Sequence, residues 1–274
     1  MTGRDDGEGA SVTPLVLVSQ EGAVRTLTFN RPEQRNAWSD ELNVAYADAL
    51  RSADVDPSVR AIVIGAAGPH FCVGGDMGDL KTFASEKSFR REGVRRAEPW
   101  ETTTIRKPVI AAVQGACAGI GFAHVLTCDV RFAAADARFA TSYARRGLPA
   151  ESGMAWLLPR LVGAARAADL LLSGRLVQVD EAFEMGLVTA VVRDEPVLNA
   201  AVRYAQDLAT NCSPTAMLAI KQQIWSGLAS GPNDFRDSAR AADLLAESAL
   251  ASPDVLEGVA SFVEKRSPQF VSFD

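Results

Sequence analysis

Histidine and cysteine are scarce in this 274-residue sequence: His70 and His124 are the only imidazoles, and Cys72, Cys117, Cys128 and Cys212 the only thiols. The cysteines show no C-x-x-C spacing and the histidines are too few to complete a tetrahedral set, so no zinc site is expected. Long apolar runs are missing as well. The stretch Cys117–Cys128 is interrupted by His124 and Thr127, and nothing approaches the roughly 20 apolar residues of a membrane span. No basic start followed by an apolar stretch marks a secretory signal. Basic charge is outnumbered, with 28 Lys and Arg against 34 Asp and Glu, a formal net charge of −6. That balance argues against nucleic-acid binding, which needs a basic footprint. It leaves room for a small anionic ligand held by a few local Lys or Arg. Together these absences read as a reduced, cytoplasmic, soluble protein.

What is present is an α/β pattern. Residues 1–13 are polar and Gly-rich and read as a disordered tail. Leu15–Val18 and Ala23–Phe29 predict two strands joined at Gln20-Glu21-Gly22. Ser39 is placed to cap a helix, with Asp40 and Glu41 at the positive end of its dipole. Leu42, Ala45, Tyr46, Ala49 and Ala53 give that helix a buried face. Strands follow at Arg60–Ile64, Val109–Val113, Val130–Ala133 and Leu187–Val192, with helices at Gly119–Thr127 and Gly163–Leu172. From Pro196 to Lys265 the pattern is purely helical, with starts at Ser213-Pro214 and Ser252-Pro253. The alternation predicts a core over 14–195 and a helical region over 196–274.

Two segments carry the same local chemistry. In Gly68–Leu80 (GPHFCVGGDMGDL) a strand feeds a Gly-rich turn and then a helix, so free backbone N–H groups collect at a helix start. Lys107–Asp129 (KPVIAAVQGACAGIGFAHVLTCD) repeats the order of strand, glycine turn and helix. Each alone reads first as a tight turn without a ligand. As a pair they could aim two N–H groups at one oxygen, an arrangement that stabilises developing negative charge.

At this point the sequence resembles a known family. Asn30–Ala37 (N-R-P-x-x-x-N-A), Phe71–Met77 (FCVGGDM), Lys107–Gly115, Cys128–Ala133 (CDVRFA), Leu157–Gly163 (LLPRLVG) and Glu257–Arg266 are together similar to the crotonase superfamily of enoyl-CoA hydratases and isomerases, in order from about residue 14 to 270. The resemblance implies a core of repeated ββα units and a C-terminal helical region that builds trimers, often paired into hexamers. It implies coenzyme A as part of the substrate, with no tightly bound cofactor. The thioester carbonyl would lie between the N–H groups of Gly75 and Ile120. Ala37, Gly74, Asp76, Met77, Gly78 and Ala123 would line the substrate. Phe262 and Lys265 match positions that touch coenzyme A across a subunit boundary, although helix packing and a solvated lysine explain them equally well.

The sequence departs from the family's hydratases, which use two glutamates to hold and split water. Their places are taken here by Ala123 and Tyr143, and neither is a base at neutral pH. Glu151, in the G-L-x-x-E-x-G context Gly147–Gly153, offers a replacement. Peroxisomal-type enoyl-CoA isomerases carry a catalytic Glu in a similar context, and dienoyl-CoA isomerases and 4-chlorobenzoyl-CoA dehalogenases an Asp. Without the resemblance, Glu151 reads as an acid at a helix start. With it, the expectation is double-bond isomerisation with Glu151 as acid and base. The alternatives are a hydratase with non-standard water activation, in which Tyr143 or Ser142 assists, chemistry with Glu151 as nucleophile, and a pseudoenzyme that only binds acyl-CoA.

Other residues read more plainly. His124 is expected in the core or an interface, and His70 at the surface. Arg90, Arg91, Arg95 and Arg96 read as a solvated face that coenzyme A phosphates could use. Phe83 and Trp100 flank a segment that would cover the acyl pocket. Trp38 is expected to pack in the core.

Overall fold

The computed structural model describes residues 13–76, 78–79, 97–229 and 253–271. A six-stranded sheet has the order β1-β2-β3-β4-β6-β9. β1 (Val16–Glu21) and β2 (Val24–Phe29) are antiparallel around Gly22, whose φ of +56° closes the hairpin. β3 (Ala61–Ala66), β4 (Val109–Val113), β6 (Val130–Ala134) and β9 (Ala190–Val192) then run parallel. A second sheet has the order β5-β7-β8, from β5 (Ala116–Ala118), β7 (Arg138–Ala140) and β8 (Val177–Gln178).

Successive side chains on a strand point to opposite faces, and both faces of the large sheet are covered. Leu27, Phe29, Ile62, Ile64, Val109, Ala111 and Val113 join the larger core. Helix α1 (Asp40–Val55) packs there through Leu42, Tyr46 and Ala53 of the stripe read from the sequence, with Ala45 and Ala49 partly buried, and through Leu50, which that stripe did not include. The Ser39 hydroxyl accepts the Leu42 N–H at 3.3 Å, so the expected cap forms. Two short helices follow in the same core, α2 (Gly119–Leu126) and α3 (Met154–Val162), then α4 (Ala164–Ser173) and α5 (Val179–Glu184).

The other sheet face shows Val24, Ala61, Val63, Ile110 and Ala112. It is covered by α6 (Val197–Asn211) through Val197, Ala201, Ala205 and Ala209. Small residues on α6 let it sit close on the strands. By its packing α6 therefore belongs to the core, although its sequence pattern groups it with the helical region. Helix α7 (Pro214–Ala229) is tied down differently. The Lys221 Nζ, almost wholly buried, donates to the carbonyls of Thr102 and Lys107 (3.0 Å each) and to Asp129 Oδ2 (2.7 Å). Trp225 Nε1 donates to Asp129 Oδ1 at 3.2 Å. Helix α8 (Pro253–Glu264) ends with Lys265 exposed.

Both core units have the same order, β4-β5-α2 and β6-β7-α3. Strands of two or three residues, such as β5, β7 and β8, carry no periodic signal of their own, and the expected strands do not include them.

Candidate active site

The site begins in the extended segment after β3. On one side, Phe71 and Cys72 donate their N–H groups to the carbonyls of Gln114 and Ala116 (2.9 and 3.1 Å). The Cys72 carbonyl accepts the Ala118 N–H at 2.9 Å. Cys72 is thereby registered with Cys117 of β5. On the other side, the Gly74 carbonyl accepts the Trp38 N–H (2.8 Å), and the Asp76 N–H donates to the Trp38 carbonyl (2.9 Å). A trans peptide points its C=O and its N–H in opposite directions, and the described chain has no cis bond. With the Gly74 carbonyl turned to Trp38, the Gly75 N–H turns away from Trp38.

The second donor lies on the β5–α2 turn. Ile120 is the second residue of α2, so its N–H belongs to the first turn and has no partner within the helix. Neither the Gly75 nor the Ile120 N–H meets a protein acceptor among the described residues. Both lie three residues beyond the registered pair Cys72 and Cys117. The two turns touch through glycine. A Cβ on Gly74 (φ +101°) would meet the Ala118 carbonyl oxygen at 3.4 Å, and one on Gly119 (φ +53°) would meet the Gly74 Cα at 3.6 Å. Gly121 is tighter still, since a Cβ there would come within 2.5 Å of Cys72 Sγ.

A cavity of about 660 Å³ opens over these turns. One wall is Glu33, Gln34, Arg35 and Ala37 with Val73–Asp76; Gly119 and Ile120 form the floor. The opposite wall is Thr141, Ser142, Tyr143, Arg146, Leu148 and Glu151. Thus Glu151, Gly75, Ile120, Tyr143, Gly74, Asp76 and Ala37, expected at the site from the sequence, face one space.

Glu151 is half-buried, and burial raises its carboxyl above the usual carboxylate range. It does not cap α3. The N-cap of that helix is Gly153 with no side-chain bond, and only the Glu151 carbonyl oxygen takes part, accepting the Met154 N–H at 3.0 Å. Tyr143 is buried, and its hydroxyl has no hydrogen-bond partner. Its phenol is held above the ordinary tyrosine range by burial first and by the Glu151 charge second. Asp76 has structural partners, accepting from the Gly78 N–H (2.8 Å) and pairing with Arg31 (3.3 Å).

Other expected positions fall elsewhere. Ala123 is buried in the core one turn beyond Ile120 and does not line the cavity. Trp100 is exposed and away from the cavity. Lys265 is exposed and does not line it either. Met77, Phe83, Arg90, Arg91, Arg95, Arg96, the tail up to residue 12 and the side chain of Phe262 lie outside the described residues. His70 is not a free surface residue; its Nδ1 accepts the Ala116 N–H at 3.3 Å and braces β5. His124 is in the core, as expected, with its ring 4.3 Å from Trp38 and 5.3 Å from Tyr46. Neither of its nitrogens has a partner, and burial lowers its pKa to about 3. Arg35, Arg146, Thr141 and Leu148 were not anticipated at the site. Arg35 gives the one local signal, standing beside the Asn36 of the N-R-P-x-x-x-N-A motif.

The profile of the family described as Enoyl-CoA hydratase/isomerase matches residues 19–272. The chain belongs to the enoyl-CoA hydratase/isomerase family. It is similar to 1,2-epoxyphenylacetyl-CoA isomerase of Escherichia coli (strain K12), 36% identical over 266 residues, 93% of this chain and 98% of that protein. It is also similar to the peroxisomal Delta(3,5)-Delta(2,4)-dienoyl-CoA isomerase of Arabidopsis thaliana, 30% identical with 96% and 98% covered. Among solved structures, an enoyl-CoA hydratase from Polaromonas sp. JS666 superposes with a TM-score of 0.82 at 32% identity, covering 93% of this chain and 99% of that one. The family's enoyl-CoA isomerases and hydratases therefore define what kind of enzyme this is, with the crotonase fold and C-terminal helices. Among the described residues no group of side chains could hold a metal ion, and no helix is long and apolar enough to cross a membrane.

Proposed function

We propose that this family member moves a double bond within the acyl group of an enoyl-CoA, with Glu151 as the single acid and base. The observation that carries the reading is the presence of the Glu151 carboxyl in the same cavity as the unpartnered N–H groups of Gly75 and Ile120, while Ala123 and Tyr143 occupy the hydratase carboxylate places. The thioester oxygen would accept both N–H groups. Glu151 removes a proton from one carbon, the amides hold the resulting dienolate, and the protonated carboxyl returns the proton two carbons away. One group suffices because the same carboxyl takes the proton and returns it, and while it is protonated its O–H can exchange with solvent. A carboxyl raised by burial suits both halves, being a better base when ionised and still reachable at neutral pH. The substrate supplies the coenzyme A, and no bound cofactor has a step to perform.

Two of the relatives named above are called isomerases, which favours this reading over hydration. We further propose assembly in threes, supported by the exposed Ile220 and Ile224 on α7. The test is proton exchange in deuterated water. The wild-type chain should wash deuterium into the α- or γ-carbon of a 3-enoyl-CoA, and Glu151→Gln should abolish it. Unchanged exchange in that variant removes Glu151 from the mechanism. Because the base must be ionised, kcat/KM should rise with pH through the elevated carboxyl pKa and then level off.

A further inference from the structure

Pockets that receive hydrocarbon chains are lined mainly by apolar side chains. The wall holding Glu151 is not of that kind. Among the described residues its aliphatic contribution is Leu148, set among Thr141, Ser142, Tyr143, Arg146 and Glu151. The Thr141 hydroxyl is already used, donating to the Leu170 carbonyl at 2.7 Å. The Tyr143 hydroxyl is not. Tyr143 is only 6% exposed, lines the cavity, and has a hydroxyl withdrawn from bulk water without donor or acceptor. It stands close enough to Glu151 to feel the carboxylate charge. A buried hydroxyl left unpaired is costly, and such groups ordinarily have a partner.

We infer that the partner arrives with the substrate: Tyr143 is a specificity-determining residue that donates its O–H to an oxygen carried by the acyl group near the carbons served by Glu151. The preferred substrates are then thioesters whose acyl group bears a hydroxyl, ether, epoxide or oxo oxygen near those carbons. A plain hydrocarbon tail in the same place leaves the phenol unpaired, and sites built to hydrogen-bond a substrate group discriminate against analogues that lack it. This inference rests on the acyl-CoA reading above but not on the identity of the base.

The test separates the two. Saturated coenzyme A thioesters are prepared in pairs, one with an ether oxygen in place of the methylene at the third, fourth or fifth acyl carbon. Their affinities for the wild-type chain and for Tyr143→Phe are measured by calorimetry, which needs no turnover. In at least one pair, the ether-over-methylene preference should fall about fivefold when the hydroxyl is removed, the size of one hydrogen bond of average strength. The thermal midpoint should not fall, because the variant deletes an unpaired hydroxyl. Equal preferences in both proteins at every position, or an equal loss of affinity for both members of each pair, would overturn the inference. Failure of every thioester to bind would overturn it together with the acyl-CoA reading. Normal coupling at Tyr143 without proton exchange would leave it standing and remove only the proposed reaction.

Discussion

The amides of the site and its carboxyl are held by different means. Gly75 and Ile120, the proposed main-chain donors, are placed by the pairing of Cys72 with Cys117 and by glycines packed against neighbouring backbone. Only proline lacks such a donor; any other substitution leaves the N–H in place and can at most displace it by pushing the turns apart. The wall from 141 to 151 is held on short turns, and one residue within it and one just after it sit in left-handed backbone. Ser142 (φ +63°) precedes Tyr143, and Ser152 (φ +55°) follows Glu151. Left-handed conformations disfavour non-glycine residues, by about 1–2 kcal/mol each. One part of the site is thus built into the fold, and the other can be rewritten one side chain at a time. That division explains how a floor suited to thioesters can serve different reactions.

Four experiments probe this division. The largest effect is expected from Glu151→Gln, which should slow proton exchange by about 10²–10⁴-fold, the range for one acid–base group, with little change in folding. Gly121→Ala should strike the floor through sterics alone. Its Cβ meets both Sγ and Cβ of Cys72 at 2.5 and 2.6 Å, so α2 must shift. Loss of roughly 10²-fold in exchange, as for an oxyanion donor out of place, should accompany about 1–3 kcal/mol of destabilisation in urea melts. Unimpaired exchange in that variant would mean that the floor is less rigid than its packing suggests.

His124→Leu, behind the floor, should affect stability rather than chemistry. The folded pKa near 3 lies below the ordinary value of 6.5, so the neutral ring stabilises the fold above about pH 6.5. That contribution is lost as pH falls from 6.5 toward 3, where the unfolded chain takes up a proton that the folded chain refuses. The leucine variant should lose stability less steeply over this window, as chemical melts at several pH values will show. The smallest effect is expected for Ser152→Gly. Glycine relieves the left-handed penalty but adds freedom of about 0.4–1 kcal/mol to the unfolded chain. The midpoint should hardly move, and turnover should stay within about twofold. A large loss of turnover would mean that the serine itself aims Glu151.

The parts legible in the sequence were those written locally. The β-branched runs, the Ser39 cap, the helical stripe of α1 and the two glycine turns all appear where their residues predict them. Glu151, Gly75 and Ile120 were singled out by combining motif with resemblance, and all three line one cavity. The remainder depends on partners distant in the chain. The β5-β7-β8 sheet exists because each short strand finds another, not because any has a strong pattern of its own. The helical periodicity of α6 says nothing about which surface it covers, and that surface is the sheet. Ala123 shows the same limit from the other side. Its position in a motif is clear, yet its methyl group is closed into the core.

Asp129 lies just past the end of α2, where it accepts the Val109 N–H at 2.8 Å and the Lys221 ammonium at 2.7 Å. The helix whose head carries the Ile120 donor is therefore anchored at its foot by a cation from the C-terminal arm, and clamped at its head by the Gly121–Cys72 contact. A rod fixed at both ends cannot rock. The helix that carries Ile120 is therefore braced from two separate parts of the fold, the C-terminal helices and the segment after β3.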